Sequence, residues 1–194
     1  MSPQATVVLA STSSYRAGLL QRLLEHFEQA SPGTDEARLE GERPAARAAR
    51  LAEAKARAVA ETRPGAIVIG SDQVADLDGL VLDKPGTVSA AHRQLEASSG
   101  REVVFHTAVC VIDLRGDATT HVDETRVRFR ELSAEDIARY VERERPLDCV
   151  GSFKCEGLGI SLFERIDNED PTALVGLPLI ATSRLLRAAG VVLP

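Results

Sequence analysis

The stretch Ala66-Ile67-Val68-Ile69-Gly70-Ser71-Asp72-Gln73-Val74-Ala75-Asp76-Leu77-Asp78-Gly79-Leu80-Val81-Leu82-Asp83-Lys84-Pro85 decides the fold. The run from Ala66 to Ile69 is short, apolar and β-branched, which predicts a buried strand. Gly70-Ser71 then delivers Asp72 at the carboxyl end of that strand. Asp78-Gly79 separates Val74–Leu77 from Leu80–Leu82 and predicts a hairpin, because Asp and Gly tolerate the positive φ angles of a tight two-residue turn. In α/β proteins the ligand crevice opens at the carboxyl ends of strands. Asp72, and Lys84 after the hairpin, are therefore candidates for chemistry.

Working toward the N-terminus, Pro44 to about Ala60 predicts a helix on which Leu51, Ala54, Lys55 and Ala58 share a face. Thr6 to Ala10 reads as another buried strand, followed by the hydroxyl-rich Ser11-Thr12-Ser13-Ser14. Leu19, Leu20, Leu23, Leu24 and Phe27 then recur at helical spacing. Toward the C-terminus, Lys84-Pro85-Gly86-Thr87 leads into a short helix that stops near Gly100. Strands are expected at about Val103–Asp113 and Thr119–Arg130, and Ser133 with Asp136 frames a capping box for a helix to Glu144. Pro146 to Gly159 reads as a loop and Asp170-Pro171 as a turn. The last helix runs from about Pro178 to Ala189, with Gly190 closing it. No repeat or linker interrupts the chain. The expectation is a single α/β domain over 1–194, with a mixed sheet, flanking helices and two lobes around a cleft.

Composition narrows the function classes. In 194 residues, 44% are hydrophobic but only 4% aromatic, with no Trp, so the core must be aliphatic. A net charge of −6 argues against binding nucleic-acid polymers through a basic surface. Cys110, Cys149 and Cys155 cannot all pair and show no C-x-x-C spacing, which reads as a reduced compartment. Met1-Ser2-Pro3-Gln4 lacks a signal-peptide pattern, and no apolar segment nears the ~20 residues of a membrane span. A cytoplasmic location is expected.

Several residues fit phosphate chemistry. Ser11, Ser13 and Arg16 at a helix entry offer hydroxyl and charge-assisted donors for phosphate oxygens, although an ordinary N-cap needs the same residues. No G-x-x-x-x-G-K-[ST] motif is present, which excludes a P-loop. Asp35-Glu36 is either an acidic pair for Mg²⁺, which takes carboxylates, water and phosphate oxygens, or a pair of solvated loop charges. Lys55 among alanines is ambiguous, since lysine snorkels readily. Burial of Asp72 calls for a metal or cation as partner, and Lys84 is one source. Glycines around Lys154 and Glu156 in Gly151–Gly159 suggest backbone lying close to a ligand.

Taken together, these segments resemble the Maf family. Leu9-Ala10-Ser11-Thr12-Ser13-Ser14-Tyr15-Arg16 is similar to its opening loop, Asp35-Glu36 to its acidic pair and Ala54-Lys55-Ala56 to its helix lysine. Gly70-Ser71-Asp72-Gln73-Val74 is similar to the segment bearing its catalytic aspartate, and Lys84-Pro85 to its second lysine. Phe105-His106-Thr107 and Gly176-Leu177-Pro178 fit as well. Ser14, Ala17 and Asp83 depart from the usual Pro, Arg and Gly. The resemblance implies a Maf/ITPase-like mixed α/β fold. It also implies a pyrophosphatase that splits a nucleoside triphosphate into monophosphate and diphosphate with a divalent cation, Mg²⁺, Mn²⁺ or Co²⁺. Asp72 would be the base, Glu36 and Asp72 the metal ligands, and Ser11, Ser13, Arg16, Lys55 and Lys84 the phosphate contacts. The segment Leu147–Ile160, with Gln73 and Glu156, resembles the 7-methyl-GTP branch, and Tyr15 would offer an aromatic face to the base. The alternatives are the dTTP/UTP branch and a non-catalytic nucleotide-binding regulator of cell division. The implied partner is a small nucleotide, with no nucleic-acid polymer and no membrane; a homodimer stays open.

Overall fold

A computed structural model describes residues 5–194; Met1–Gln4, on which the signal-peptide reading rests, lie outside them. The strands are β1 (Val7–Ala10), β2 (Glu28–Gln29), β3 (Ile67–Leu77), β4 (Leu80–Leu82), β5 (Glu102–Ile112), β6 (Ala118–Phe129) and β7 (Phe163–Asp167). The α-helices are α1 (Ser14–Leu20), α2 (Pro44–Ala60), α3 (Val88–Ser98), α4 (Ala134–Glu144) and α5 (Leu179–Ala188), and short 3₁₀ turns occur at Val150–Ser152, Leu158–Leu162 and Ala173–Val175. One mixed sheet has the order β2-β1-β3-β5-β6-β7, with β4 paired to β3. The expected mixed α/β architecture is the one found. Among the described residues no helix is long and apolar enough to cross a membrane.

The central strand differs from its sequence reading. β3 does not stop at Ile69 but runs unbroken to Leu77, so Asp72 sits in mid-strand. Antiparallel β5 pairs with it from Val68 to Asp76 and carries the backbone through Gly70-Ser71. On the other edge, parallel β1 ends at Ala10 opposite Gly70, and β4 begins only opposite Ala75. Ser71 to Val74 are thus left without a strand on that side. A local gap at the sheet edge does here what a strand terminus does elsewhere. The hairpin itself is as expected, with Asp78 and Gly79 both at positive φ.

Alternation along β3 and β5 explains the layers. On one face Ile67, Ile69, Val109 and Val111 join α1 and α5 in one aliphatic cluster. On the same face Ala75, Leu77, Val103 and Phe105 join α3 and α4 in a second. Between them lie Ser71, Gln73 and Thr107, a polar belt that apolar side chains do not bridge. The opposite face packs on α2 through Val68, Val74, Ala108 and Cys110.

Three further details depart from the sequence reading. α1 ends at Leu20 because the chain turns back to lay β2 beside β1, yet Leu23, Leu24 and Phe27 still reach the first cluster. The buried face of α2 is Ala48, Leu51, Ala52, Lys55, Ala56 and Val59; Ala54 and Ala58 lie at its flank. β7 was not foreseen, its Phe-Glu-Arg-Ile-Asp sequence being too charged to signal a strand. The capping box of α4 is complete, with Ser133 and Asp136 each bonding the other's backbone.

Candidate functional site

Gly70 sets the geometry of the site. A Cβ at this position would lie 2.7 Å from Ala56 N and closer still to Ala52 O. The absence of a side chain lets α2 lie directly on β3, with small alanines on the facing surface. That contact carries Lys55 to the sheet, where its Nζ stands 2.6 Å from Asp72 Oδ1 and 2.7 Å from Glu36 Oε1. Lys55 and Asp72 are each only 6% exposed. The cation that partners Asp72 is therefore Lys55, and Lys84 is left exposed at the rim. Burial pushes the Asp72 carboxyl above its ordinary value, against the charge and hydrogen bond of Lys55 and the charge of Arg16. Burial acts upward on Glu36 too, but there Lys55, Lys84 and Arg16 prevail and hold the carboxyl low.

A second cation is fixed by a glycine carbonyl. Arg16 Nε donates to Gly176 O at 3.0 Å, and Ser71 Oγ donates to the same oxygen at 2.9 Å. Gly176 adopts φ +127°, where a side chain is strained. This explains the value of Gly176-Leu177-Pro178: it anchors Arg16 from the far end of the chain. Burial lowers the Arg16 pKa while Asp72 and Glu36 support its charge. Ser13 caps α1 through Arg16 N at 3.4 Å, and Ser11 Oγ accepts from Ser13 N at 3.1 Å. Both hydroxyls act as local acceptors, which leaves their O–H protons free to donate to a phosphate.

Ser11, Ser13, Tyr15, Arg16, Glu36, Lys55, Gln73, Lys84 and Glu156 all line one cleft of about 340 Å³. Asp72 lines an adjoining hollow of about 270 Å³ that shares Arg16, Glu36, Lys55, Gln73 and Lys84 with it. The structure brings every candidate together. Asp35, the other member of the acidic pair, instead accepts from Ala37 N at 2.9 Å and shapes the loop.

At the far end of the cleft, Tyr15 Oη donates toward Asp148 Oδ2 at 3.4 Å, and Glu156 is exposed at the wall. Burial raises the Tyr15 hydroxyl, so it stays protonated. Burial also raises Cys149 to about 11 and Cys155 to about 12, which makes both thiols poor nucleophiles. The loop carrying Glu156 is held by α4: Lys154 N donates to Tyr140 Oη at 3.0 Å, and Leu158 N donates to Glu144.

Sequence reasoning missed the supports. Asp83 pairs with Arg38 at 3.0 Å and Arg47 at 3.6 Å, and Arg47 also donates to Glu36 O at 3.2 Å. The extra charge of Asp83 is thus locally neutralised and ties the Glu36 loop to the hairpin. Ala17 is buried in the first cluster. Asp170, read as a turn, is buried and accepts from Thr172 and from Ile180 N at the start of α5. The Asp-Pro pair signalled a turn but not its remote capping.

Among the described residues no group of three or more His, Cys, Asp or Glu forms a metal cage. Glu36 and Asp72 remain as two carboxylates converging on one point, occupied by the Lys55 ammonium. Two carboxylates suffice for a hard divalent ion that keeps water and takes its other ligands from phosphate. The donor set fits an ion that arrives with a nucleotide.

The description "Maf-like protein" matches residues 6–189. A "7-methyl-GTP pyrophosphatase" of Aromatoleum aromaticum is 57% identical over 189 residues, covering 97% of each chain. A protein of the same name from Xanthomonas oryzae pv. oryzae is 57% identical over 188 residues, 97% of this chain and 98% of its own. Among solved structures, a nucleoside-triphosphatase/dITP/XTP pyrophosphatase from Mycobacterium abscessus aligns over 95% of this chain and 96% of its own, at 16% identity and a TM-score of 0.45.

Proposed function

The chain belongs to the Maf family, and from that premise we propose that it hydrolyses 7-methyl-GTP to 7-methyl-GMP and diphosphate, as one domain acting on the cytoplasmic nucleotide pool. The observation that carries the reaction type is the buried Asp72, held by Lys55, which also binds Glu36, beside Arg16 in a cleft of nucleotide size. The substrate is supported by the relatives' names and by Tyr15, Gln73 and Glu156 meeting in that cleft.

Water adds across the bond between the α- and β-phosphates. Its oxygen joins the α-phosphorus, its proton passes to Asp72, and the bridging oxygen leaves with the diphosphate. A carboxylate raised by burial is a stronger base than one in water. Arg16, Lys55 and Lys84 balance the charge that develops on the phosphates, in a setting where such charges act strongly. Ser11 and Ser13 donate to phosphate oxygens. Glu36 and Asp72 would hold the divalent cation, which supplies Lewis-acid neutralisation when bound. At the other end, Tyr15 offers its ring face to the cationic base, and Glu156 accepts from the base's N–H edge.

Diphosphate release across 7-methyl-GTP, GTP, dTTP and UTP tests this reading. 7-Methyl-GTP should have the highest kcat/KM, chelator should abolish turnover, and Asp72→Asn should lower kcat by ~10²–10⁴-fold. Best turnover of dTTP or UTP would move the chain to the pyrimidine branch. Binding without turnover of any nucleotide would make it a sensor.

A further inference from the structure

Phe105-His106-Thr107 belongs to the sequence resemblance, yet the reaction described above gives Thr107 no role. Thr107 is fully buried on β5, in register with Gln73 of β3, at the centre of the polar belt. Its hydroxyl donates to Ala173 O at 3.0 Å. A hydroxyl has one proton, so toward Gln73 it can only accept, and it does, from Nε2 at 3.0 Å. Gln73 Nε2 also lies 3.1 Å from Ala173 O and 3.1 Å from Leu174 O.

These partners leave the amide one orientation. Three oxygen acceptors surround its nitrogen end, and turning the group over would set Oε1 against two carbonyls that cannot donate. Both N–H protons are consumed, and no described residue donates to Oε1. Gln73 is also part of the cleft wall, next to Leu174.

We infer that Thr107 is a positioning residue for base selection: with the Ala173 and Leu174 carbonyls it locks the Gln73 amide so that only an acceptor, Oε1, faces the nucleotide. The inference rests on the nucleotide reading of the cleft. An acceptor-only wall selects a base with adjacent N–H donors on one edge, the oxo-amino edge of guanine, over uracil, whose single N–H lies between two carbonyl oxygens. Against uracil, one acceptor of the wall meets a base acceptor, and a desolvated mismatch of this kind is unfavourable. Glu156 then adds charge to an edge preference that Gln73 has already set. Thr107 touches no substrate and acts through Gln73.

The test is equilibrium binding in chelator, where no turnover is needed, of 7-methyl-GTP and UTP to the wild type, Thr107→Val and Thr107→Ser. Valine keeps the shape and removes the hydroxyl; serine restores it. The dissociation constant of UTP divided by that of 7-methyl-GTP should fall by about 3–10-fold in Thr107→Val, the loss of one hydrogen bond's discrimination, and return in Thr107→Ser. A ratio unchanged within twofold in a Thr107→Val protein of normal Tm overturns the inference. Should valine impair folding, side-chain NMR of the wild type and of Thr107→Ala decides, with the Gln73 peaks assigned by their loss in Gln73→Met. Nε2 protons that exchange slowly in the wild type and faster in Thr107→Ala uphold the lock, whereas equal rates in the two, or wild-type protons exchanging as fast as those of exposed amides, overturn it. Diphosphate release from the wild type is scored separately, so a failure of the hydrolase reading does not mimic a failure of the lock.

Discussion

Removing the Lys55 ammonium should make the stability of this protein depend steeply on pH. Lys55→Met keeps most of the aliphatic stem in place between α2 and β3. It deletes two contacts, 2.6 Å to Asp72 and 2.7 Å to Glu36. The second counts for little: the Glu36 side chain is 55% exposed, and an ion pair of that kind is worth ~0–1 kcal/mol. The first leaves a buried carboxylate with Arg16 as its remaining cation, and stripping one partner from a buried pair costs ~3–5 kcal/mol. In a chain of this length that is a fall of about 6–20 °C in Tm. The sign of the pH effect follows from Asp72. Its folded pKa already lies above the unfolded value through burial, with Lys55 opposing the rise, so losing Lys55 lifts it further. Folding then favours the protonated acid. Stability is fully present below the unfolded carboxylate pKa and is lost as pH rises through the raised folded one. Urea unfolding in chelator at pH 5 and pH 8 reads this directly: the variant's deficit should be larger at pH 8, and Asp72→Asn in the same chain should recover part of it. A deficit below 1 kcal/mol at pH 8, or one equal at both pH values, would refute the picture of a buried carboxylate held by Lys55.

Two more perturbations probe the surroundings. Gly70→Ala drives a methyl into Ala52 O and Ala56 N, which must lift α2 and Lys55 from the sheet; stability should fall by ~1–3 kcal/mol or more, with a parallel loss of kcat, and retention of both in urea melts and turnover assays would show that α2 is not seated as described. Asp123→Asn should stabilise at pH 7.5 and do little at pH 4. Burial, with Asp170 and Glu169 nearby, raises Asp123 to about 6 and leaves its Oδ1 without a partner. The advantage of the neutral side chain should therefore open between pH 4 and 6 and reach ~1–3 kcal/mol above that; equal Tm values at pH 7.5 would contradict it.

The elements were legible where local chemistry sufficed. Asp78-Gly79 named its own turn, Ser133 and Asp136 their own cap, and the long strands β5 and β6 their own extent, because each is specified by neighbours in sequence. β3 was misjudged for the opposite reason. Gly70-Ser71 looks like a break, but its glycine answers to α2, and antiparallel pairing with β5 holds the backbone extended. Neither partner is visible from within the stretch itself. β7 fails likewise: with mostly polar, charged residues in Phe163–Asp167, only pairing with β6 makes it a strand. At the site, the residues that line the cleft were legible through motif resemblance, while their pairings were not. Lys55 looked free to snorkel, and Lys84 looked like the natural partner of Asp72. Which lysine meets the acid is decided by the close contact at Gly70.

The cleft itself has a cause in the alternation of β3 and β5. On one face of the sheet, apolar side chains at either end of these strands recruit separate sets of helices, α1 with α5 and α3 with α4. Ser71, Gln73 and Thr107 interrupt the apolar surface between the two clusters. Buried hydroxyl and amide groups must instead be satisfied by partners, and the partners found are the carbonyls of Ala173, Leu174 and Gly176. The segment 173–176 lies across the belt as a single 3₁₀ turn, Ala173–Val175, closed by Gly176, and it holds Arg16 and Gln73 through its carbonyls. The polar belt thus both divides the lobes and orients the side chains at the boundary. On the other face of β3, a single alternation step away, Asp72 meets Lys55. On the proposed reading, the gap between β1 and β4 would let a nucleotide reach both faces at once, with its phosphates toward Asp72, Arg16 and Lys84 and its base toward Gln73, Tyr15 and Glu156. An eleven-residue strand unpaired on one edge at its middle is what joins the two halves of the site.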